Sequence, residues 1–135
     1  DYRAITAEQL VVKGETFDAI LNMEVIEHVA DPQAFMSACG QLMKPDAIMF
    51  LATLNRTLKA FALAIVGAEY VLRWLPRGTH EWDKFITPKE LEDIAEKAGL
   101  EFFTSTGVSF NPLTDKWRQS GDMSVNYMGI ARKAS

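Results

Sequence analysis

The sequence predicts an α/β domain built on a mostly parallel sheet. Two apolar runs, at 19–23 and 47–53, have the length of buried strands, and a helix start at Asp31-Pro32 lies between them. A strand, a helix and a strand in that order form a right-handed crossover between parallel strands. The composition agrees, because 48% of the 135 residues are hydrophobic and 24% are charged, as in chains that bury a core.

The glycine pattern predicts that the domain lacks its first part. A doubly wound sheet normally opens with a strand and a G-x-G-x-x-G turn onto a helix. The eight glycines of this chain are scattered, and none of them forms that turn. We therefore expect residues 1–135 to be the later part of such a domain, without its N-terminal strands and glycine-rich loop. The sheet edge where those strands would pair is then a predicted surface for self-association.

The helices are predicted from their capping residues and apolar spacing. Asp31-Pro32 opens the first helix with an N-cap and a proline at the first helical position, and Lys44-Pro45-Asp46 ends it. A second helix of unusual apolarity is predicted over 57–75. Thr87-Pro88-Lys89-Glu90 opens a third helix with a capping box, and Gly99 ends it.

Two strands are predicted after the third helix, over 100–110 and 123–132. The intervening residues 111–122 contain proline and glycine and are predicted as a loop. A loop of that kind suits an antiparallel pair at a sheet edge. The predicted order of elements is therefore β-α-β-α-α-β-β.

The charge of the chain argues against nucleic acid as a partner, and its single cysteine bears on disulfide bonds. The net charge is −4, which argues against broad nucleic-acid binding, and the short basic stretch Lys116-Trp117-Arg118 is too small to change that. The sole cysteine, Cys39, permits no intrachain disulfide. Its position in an apolar helix predicts that it packs in the core without chemistry.

A cluster of polar residues follows the first strand directly. Glu24, Glu27 and His28 are spaced so that they would share one face if the segment were helical. They lie at the carboxyl end of a parallel strand, where such sheets bind ligands. Two carboxylates and an imidazole suit Mg²⁺ or Mn²⁺, and His28 alone suits a general base. The alternative is that both carboxylates are solvated and that His28 caps a neighbour.

Several segments of the chain together carry a resemblance to a known family. They are 17–20, Met23-Glu24-Val25-Ile26-Glu27-His28-Val29, Asp31-Pro32, Leu42-Met43-Lys44-Pro45, Thr53-Leu54-Asn55-Arg56, 66–70, 76–80, Lys84-Phe85-Ile86, Asn111-Pro112 and Val125-Asn126-Tyr127-Met128. The earlier ones resemble class I S-adenosylmethionine-dependent methyltransferases, which have a Rossmann-like fold. The whole series resembles the ubiquinone-biosynthesis O-methyltransferases, which methylate polyprenyl catechols and demethylubiquinol.

The resemblance implies a cofactor, S-adenosylmethionine, and assigns residues to it. Thr6, Ala7 and Met23 would lie on the adenine side of the cofactor, whose glycine-rich loop precedes this chain. Glu24, Glu27 and His28 would hold Mg²⁺, and without metal His28 would be the catalytic base. Asp46 stands where the family usually has glycine, a departure that affects turn geometry only.

The resemblance also implies partners and a location. The substrate would be a polyprenyl phenol, and an apolar helical insertion at about 56–86 would lie near the substrate site. The segment is too short to span a bilayer. It is therefore either an ordinary core helix or an interfacial helix that contacts lipid through 58–78. The implied location is a bacterial cytoplasm, peripheral to the membrane, with the mitochondrial matrix as the alternative.

Two other functions remain open at this point. The parent protein could be an O-methyltransferase for a different small molecule. The chain could also be a non-catalytic fragment that associates with itself or with another subunit. Because the glycine-rich loop is missing, we expect this chain by itself to be inactive.

Overall fold

Five strands form one sheet in the order β1-β2-β5-β3-β4 in a computed structural model of the chain. The structure describes residues 1–63, 65–66, 73, 76, 81–111 and 114–134. The elements are α1 (Ala7–Val12), β1 (Phe17–Met23), a 3₁₀ turn (Ile26–His28), α2 (Pro32–Leu42), β2 (Met43–Leu54), α3 (Leu58–Ala60), a second 3₁₀ turn (Trp82–Lys84), α4 (Pro88–Lys97), β3 (Leu100–Asn111), β4 (Lys116–Ser120) and β5 (Asn126–Lys133).

The predicted α/β class is confirmed, but less of the sheet is paired in parallel than the sequence predicts. Strand β1 pairs with β2 in parallel, whereas the other three pairings, β2–β5, β5–β3 and β3–β4, are antiparallel. Strands β1, β2 and β3 nevertheless run in the same direction. The cause is β5, which returns antiparallel and inserts between β2 and β3, so that these two strands do not pair with each other.

The C-terminal strands differ from the prediction in one respect. Strands β3 and β5 pair antiparallel as predicted, from Leu100 opposite Lys133 to Gly107 opposite Tyr127. However, β5 is an inner strand. The edge strand at this end of the sheet is β4, which lies within the predicted loop. The sequence of β4 has no apolar alternation, so its strand conformation depends on pairing with β3.

Helix α1 was absent from the predicted order, although its sequence carries a signal. Thr6 is its N-cap, and Gln9 completes a capping box by accepting from the Thr6 backbone. A threonine followed three residues later by glutamine is such a signature. The helix packs against α2. Because it has only six residues, its apolar pattern is too short to detect.

The helices pack on one face of the sheet and form the main core there. Cys39 is a member of that core, and burial, followed by the charge of Glu8, raises the pKa of its thiol to about 11. The prediction that Cys39 packs in the core is therefore confirmed. The core also contains large apolar side chains from α2, α4 and three strands: Met36, Met43, Met49, Leu51, Leu91, Leu100 and Tyr127.

The opposite face of the sheet exposes apolar side chains. Leu21 is 71% exposed, and Ile48, Phe50 and Phe103 are also exposed. The register places Leu21 beside Phe50 and Phe50 beside Ile130, so these side chains form one surface. Strand β1 is the outer strand next to this surface in the described sheet. Self-association through this edge stays a prediction.

The described part of the apolar segment at about 56–86 consists of its two ends and the single residues 73 and 76. Thr57 caps α3, and helical backbone continues through 61–63 and 65–66. Residues 64, 67–72, 74–75 and 77–78, about half of the predicted helix at 57–75 and of the predicted lipid contact at 58–78, lie outside the described residues. Where the structure does describe helices, none is long and apolar enough to cross a membrane.

Asp46 adopts a backbone conformation that glycine would adopt more easily. Its φ is +39°, in the left-handed region that is costly for residues with a Cβ atom. We expect Asp46→Gly to raise the free energy of unfolding by about 0.5–1 kcal/mol in urea titrations. Asp46→Ala removes the same charge but keeps the Cβ atom, so it should give no gain. An equal gain in both variants would mean that charge, not backbone strain, is responsible.

Candidate active site at the carboxyl end of the first strand

The chain leaves the sheet at Glu24 through an unusual turn. The backbone N–H of Glu24 still donates to the carbonyl of Ala52 at 2.8 Å, which extends the parallel ladder by one residue. Glu24 then takes a φ of +53°, and a 3₁₀ turn follows from Ile26 to His28. The condition under which Glu24, Glu27 and His28 would share one face, a helical segment from Glu24 to His28, is not met. The left-handed residue precedes the turn, so the α-helical period does not apply.

Glu27 is the buried member of the predicted cluster. Only 2% of its surface is exposed, and its Oε2 accepts a hydrogen bond from the Thr53 hydroxyl at 2.8 Å. Thr53 is the last residue but one of β2 and is 1% exposed. Burying a carboxylate is costly unless hydrogen bonds compensate for the lost water. No protein donor reaches its other oxygen, Oε1, within the described part of the chain.

Glu24 lies beside Glu27, and the surroundings make its carboxyl group a weaker acid than usual. Although Glu24 as a whole is exposed, its carboxyl group is partly desolvated. This desolvation, the like charge of Glu27 and a hydrogen bond with Glu27 raise the pKa of Glu24 to about 7. A substantial fraction of the Glu24 carboxyl groups is therefore protonated near neutral pH.

The raised pKa of Glu24 predicts a dependence of stability on pH. A carboxyl group with a higher pKa in the folded state stabilises the fold below its ordinary pKa of 4.5 and loses that contribution as the pH rises through about 7. We expect the free energy of unfolding to fall over this range, and to fall less in Glu24→Gln. Urea titrations across the range measure it. Glu96→Gln, an exposed site on α4, should retain the full fall, and an identical fall in Glu24→Gln would contradict the prediction.

The predicted metal ligands are only partly assembled. Within the described ranges, no three His, Cys, Asp or Glu side chains are placed to hold a metal ion together. His28 is exposed at the end of the 3₁₀ turn. The two carboxyl groups do fit a hard divalent cation, because Mg²⁺ is commonly held by one or two carboxylates with waters in its other positions. The full set of Glu24, Glu27 and His28 stays a prediction.

The predicted cofactor residues occupy different surroundings. The Thr6 hydroxyl is engaged in capping α1, and Ala7 is the first residue of that helix. A broad depression of about 690 Å³ beside α1 is lined by its neighbours, such as Ile5 and Glu8, and not by Thr6 or Ala7. Met23 is 41% exposed at the end of β1 and lies on the uncovered face of the sheet. An exposed apolar side chain there fits one side of an adenine ring, and the three assignments stay predictions.

A separate cavity of about 430 Å³ lies between the first 3₁₀ turn and α4. Glu27 and Ile86 belong to its lining, and Arg56 and Glu90 form an ion pair in its wall. The Tyr127 hydroxyl donates to the Ile86 carbonyl at 2.9 Å and so fixes another part of the wall. The volume lies within the range of small-molecule sites. This cavity is therefore a candidate small-molecule site.

Sequence reasoning missed two buried polar residues at the ends of the strands. Asn22 is 2% exposed, and neither polar atom of its side chain has a partner among the described residues. Thr53 is the hydroxyl donor to Glu27. Each is a polar residue at the end of an otherwise apolar run, and this was the available signal. Buried polar groups with unmet hydrogen bonds mark places where a water molecule or a ligand belongs.

Comparison with known sequences agrees with the resemblance. A family profile described as a methyltransferase domain matches residues 3–105. The ubiquinone biosynthesis O-methyltransferase of Parvibaculum lavamentivorans is 64% identical over 134 residues, 99% of this chain and 53% of that protein. The protein of the same name from Mesorhizobium japonicum is 61% identical over 135 residues, 100% of this chain and 54% of its own length. The chain spans about half the length of the curated relatives it matches.

Solved structures support the fold. A methyltransferase of Thermotoga maritima, described as S-adenosylmethionine-dependent and as a possible histamine N-methyltransferase, aligns with a TM-score of 0.62 at 18% identity, over 88% of this chain and 57% of that one. The methyltransferase CalH in complex with SAH aligns with a TM-score of 0.64 at 19% identity, over 99% of this chain and 36% of that one. At such identities the likeness shows the fold alone.

Proposed function

The chain belongs to the methyltransferase domain family, and on this premise we propose that it is part of an O-methyltransferase of ubiquinone biosynthesis. The complete enzyme transfers a methyl group from S-adenosylmethionine to a phenolic hydroxyl of a polyprenyl catechol or of demethylubiquinol. The observation that carries the proposal is the 64% identity to a protein of that name over 99% of the chain. The Glu24 carboxyl group at the end of β1, with its raised pKa, supplies a chemical reason.

The acceptor hydroxyl must lose its proton during the reaction. A phenol has a pKa of about 10, so it is a weak nucleophile at neutral pH without a base. Glu24 suits that task, because a general base works best when its pKa is near the operating pH, and its pKa is about 7. His28, which is exposed and close to Glu24 in the sequence, is the second candidate for the catalytic base. S-adenosylmethionine, when bound, supplies the methyl group.

A divalent cation would be held by Glu24 and Glu27, with His28 as the third predicted ligand. Mg²⁺, when bound, would favour the phenolate form of a catechol and orient its oxygens. The carboxyl groups would then serve as ligands, and the repulsion between them would be relieved. The unmet Oε1 of the buried Glu27 supports this role.

The experiment that tests the proposed function is an assay of the complete enzyme with S-adenosylmethionine. We expect a methylated product from a polyprenyl catechol and little from a catechol without the tail. Equal turnover of both would favour the alternative, an O-methyltransferase for another small molecule. A parallel reaction with EDTA decides the role of metal, because an undiminished rate would exclude Mg²⁺ as a requirement.

We further propose that the complete enzyme lies in the bacterial cytoplasm and contacts the membrane surface through 58–78. The described beginning of this segment exposes Leu58, Phe61 and Leu63, and Trp117 is exposed on β4. Exposed apolar side chains near a lipid-tailed substrate suit an interfacial contact. The test is cosedimentation with anionic liposomes. Leu58→Asp combined with Leu63→Asp should reduce binding, and equal binding would defeat the idea.

A further inference from the structure

We propose that Thr53 is a positioning residue, which holds the buried Glu27 carboxylate and thereby places Glu24 for the reaction. This inference rests on the proposed function for its catalytic consequence and on the geometry alone for the contact. Thr53 begins the segment Thr53-Leu54-Asn55-Arg56, which the sequence resemblance leaves without a role. It touches neither the acceptor nor the cofactor in this proposal, and it acts through Glu27.

The contact between Thr53 and Glu27 is isolated from water. Both residues are almost fully buried, and the 2.8 Å hydrogen bond joins residues 26 positions apart. The register places Thr53 opposite Tyr127 of β5, an inner strand of the sheet. Thr53 is therefore held by pairing to β5, and the residue before it, Ala52, pairs with Met23 of β1 on the other side. A bond that is buried and rigidly supported fixes its acceptor more firmly than one that water can replace.

The first 3₁₀ turn is held by packing at Ile26, whose side chain is fully buried in the core. Val25, which precedes the turn, provides no side-chain cap, and His28 N–H donates to the Val25 carbonyl at 2.9 Å within the turn itself. Backbone bonding ties the segment to the sheet at Glu24, before the turn begins. The Thr53 hydroxyl adds a side-chain hydrogen bond from β2 to Glu27, the next residue of the turn after Ile26. Without it, Glu27 would keep its burial but lose the donor that orients it.

The test uses the complete enzyme with Thr53→Val and Thr53→Ser. Valine keeps the shape and removes the hydroxyl, whereas serine keeps the hydroxyl. We expect Thr53→Val to lower kcat by about tenfold or more, as for outer partners that orient functional ligands, with KM for S-adenosylmethionine unchanged within about twofold. Thr53→Ser should recover most of the loss. A Thr53→Val enzyme with unchanged kcat, or a Ser variant as impaired as Val, would overturn the inference.

Hydrogen–deuterium exchange gives a readout that does not depend on activity. Amides of 24–28 should exchange faster in Thr53→Val and normally in Thr53→Ser. Thr106→Val is the matched control, because it removes a threonine hydroxyl bonded at 3.2 Å to the Ser120 carbonyl, away from Glu27. Faster exchange throughout the molecule in Thr53→Val would indicate a structural role only and would contradict positioning. If Thr53→Val does not fold, Thr53→Ala and Thr53→Cys replace it in the same comparisons.

The outcomes separate this inference from the proposed function. If the unsubstituted enzyme methylates no polyprenyl catechol, the proposed function fails, and the exchange at 24–28 still decides whether Thr53 holds the turn. If the enzyme is active and exchange at 24–28 is the same in all variants, the proposed function stands and the role of Thr53 is refuted.

Discussion

Replacement of Glu27 by glutamine in the complete enzyme is expected to lower kcat/KM by about a hundredfold or more, the usual range for loss of proton-transfer chemistry. Glutamine keeps the shape of the side chain and still accepts from Thr53. It removes the negative charge that helps to raise the pKa of Glu24. Glu24 would then be a weaker base near neutral pH, and any cation would lose one of its two carboxylate ligands.

The control and the stability measurement make this prediction specific. Glu96→Gln removes a carboxylate of the same kind from the exposed surface of α4 and should leave kcat/KM unchanged. Thermal unfolding of Glu27→Gln should show no loss of stability, because a repulsive charge is removed and the buried hydrogen bond is kept. An enzyme with full activity after this substitution would refute the assignment of Glu27 to the site.

Of the substitutions considered for their effect on stability, Gly107→Ala is expected to cause the largest loss. Gly107 is buried in β3 between Ser120 of β4 and Tyr127 of β5. An added Cβ atom would clash with the backbone carbonyl of Asp122 and lie 3.0 Å from the Ser120 carbonyl oxygen. Backbone atoms cannot rotate away as a side chain can. We expect a cost of about 1–3 kcal/mol or more in the free energy of unfolding.

The loop that would be displaced also anchors the start of the apolar segment. The Asn55 side chain donates to the Met123 carbonyl at 2.8 Å, and Lys59 pairs with Asp122 at 2.6 Å. Gly107→Ala should therefore increase amide exchange at 55–60 as well as in β4. Gly121→Ala is the control, because its Cβ atom would meet nothing within 4 Å, and its stability should be nearly unchanged. Equal urea midpoints for both variants would contradict the steric argument.

Elements whose signals lie within a few residues could be predicted from the sequence alone. Asp31-Pro32 and the capping box of Thr87 and Glu90 open helices where predicted, because a cap is made by side chains three residues apart. The strand before Glu24 also follows from a local apolar run. Polar residues directly after that strand indicated where the site lies, since carboxyl ends of parallel strands meet at one edge of the sheet.

Only the tertiary structure decided which of these polar residues is buried and what each contacts. Glu24 and Glu27 are chemically alike in sequence, yet Glu27 is enclosed and bound by Thr53, and Glu24 remains exposed beside it. The insertion of β5 between β2 and β3 is equally invisible to local patterns. The physical reason is the same in both cases. Burial, strand neighbours and pKa shifts depend on groups that are distant in sequence and are brought together only by packing of the whole sheet.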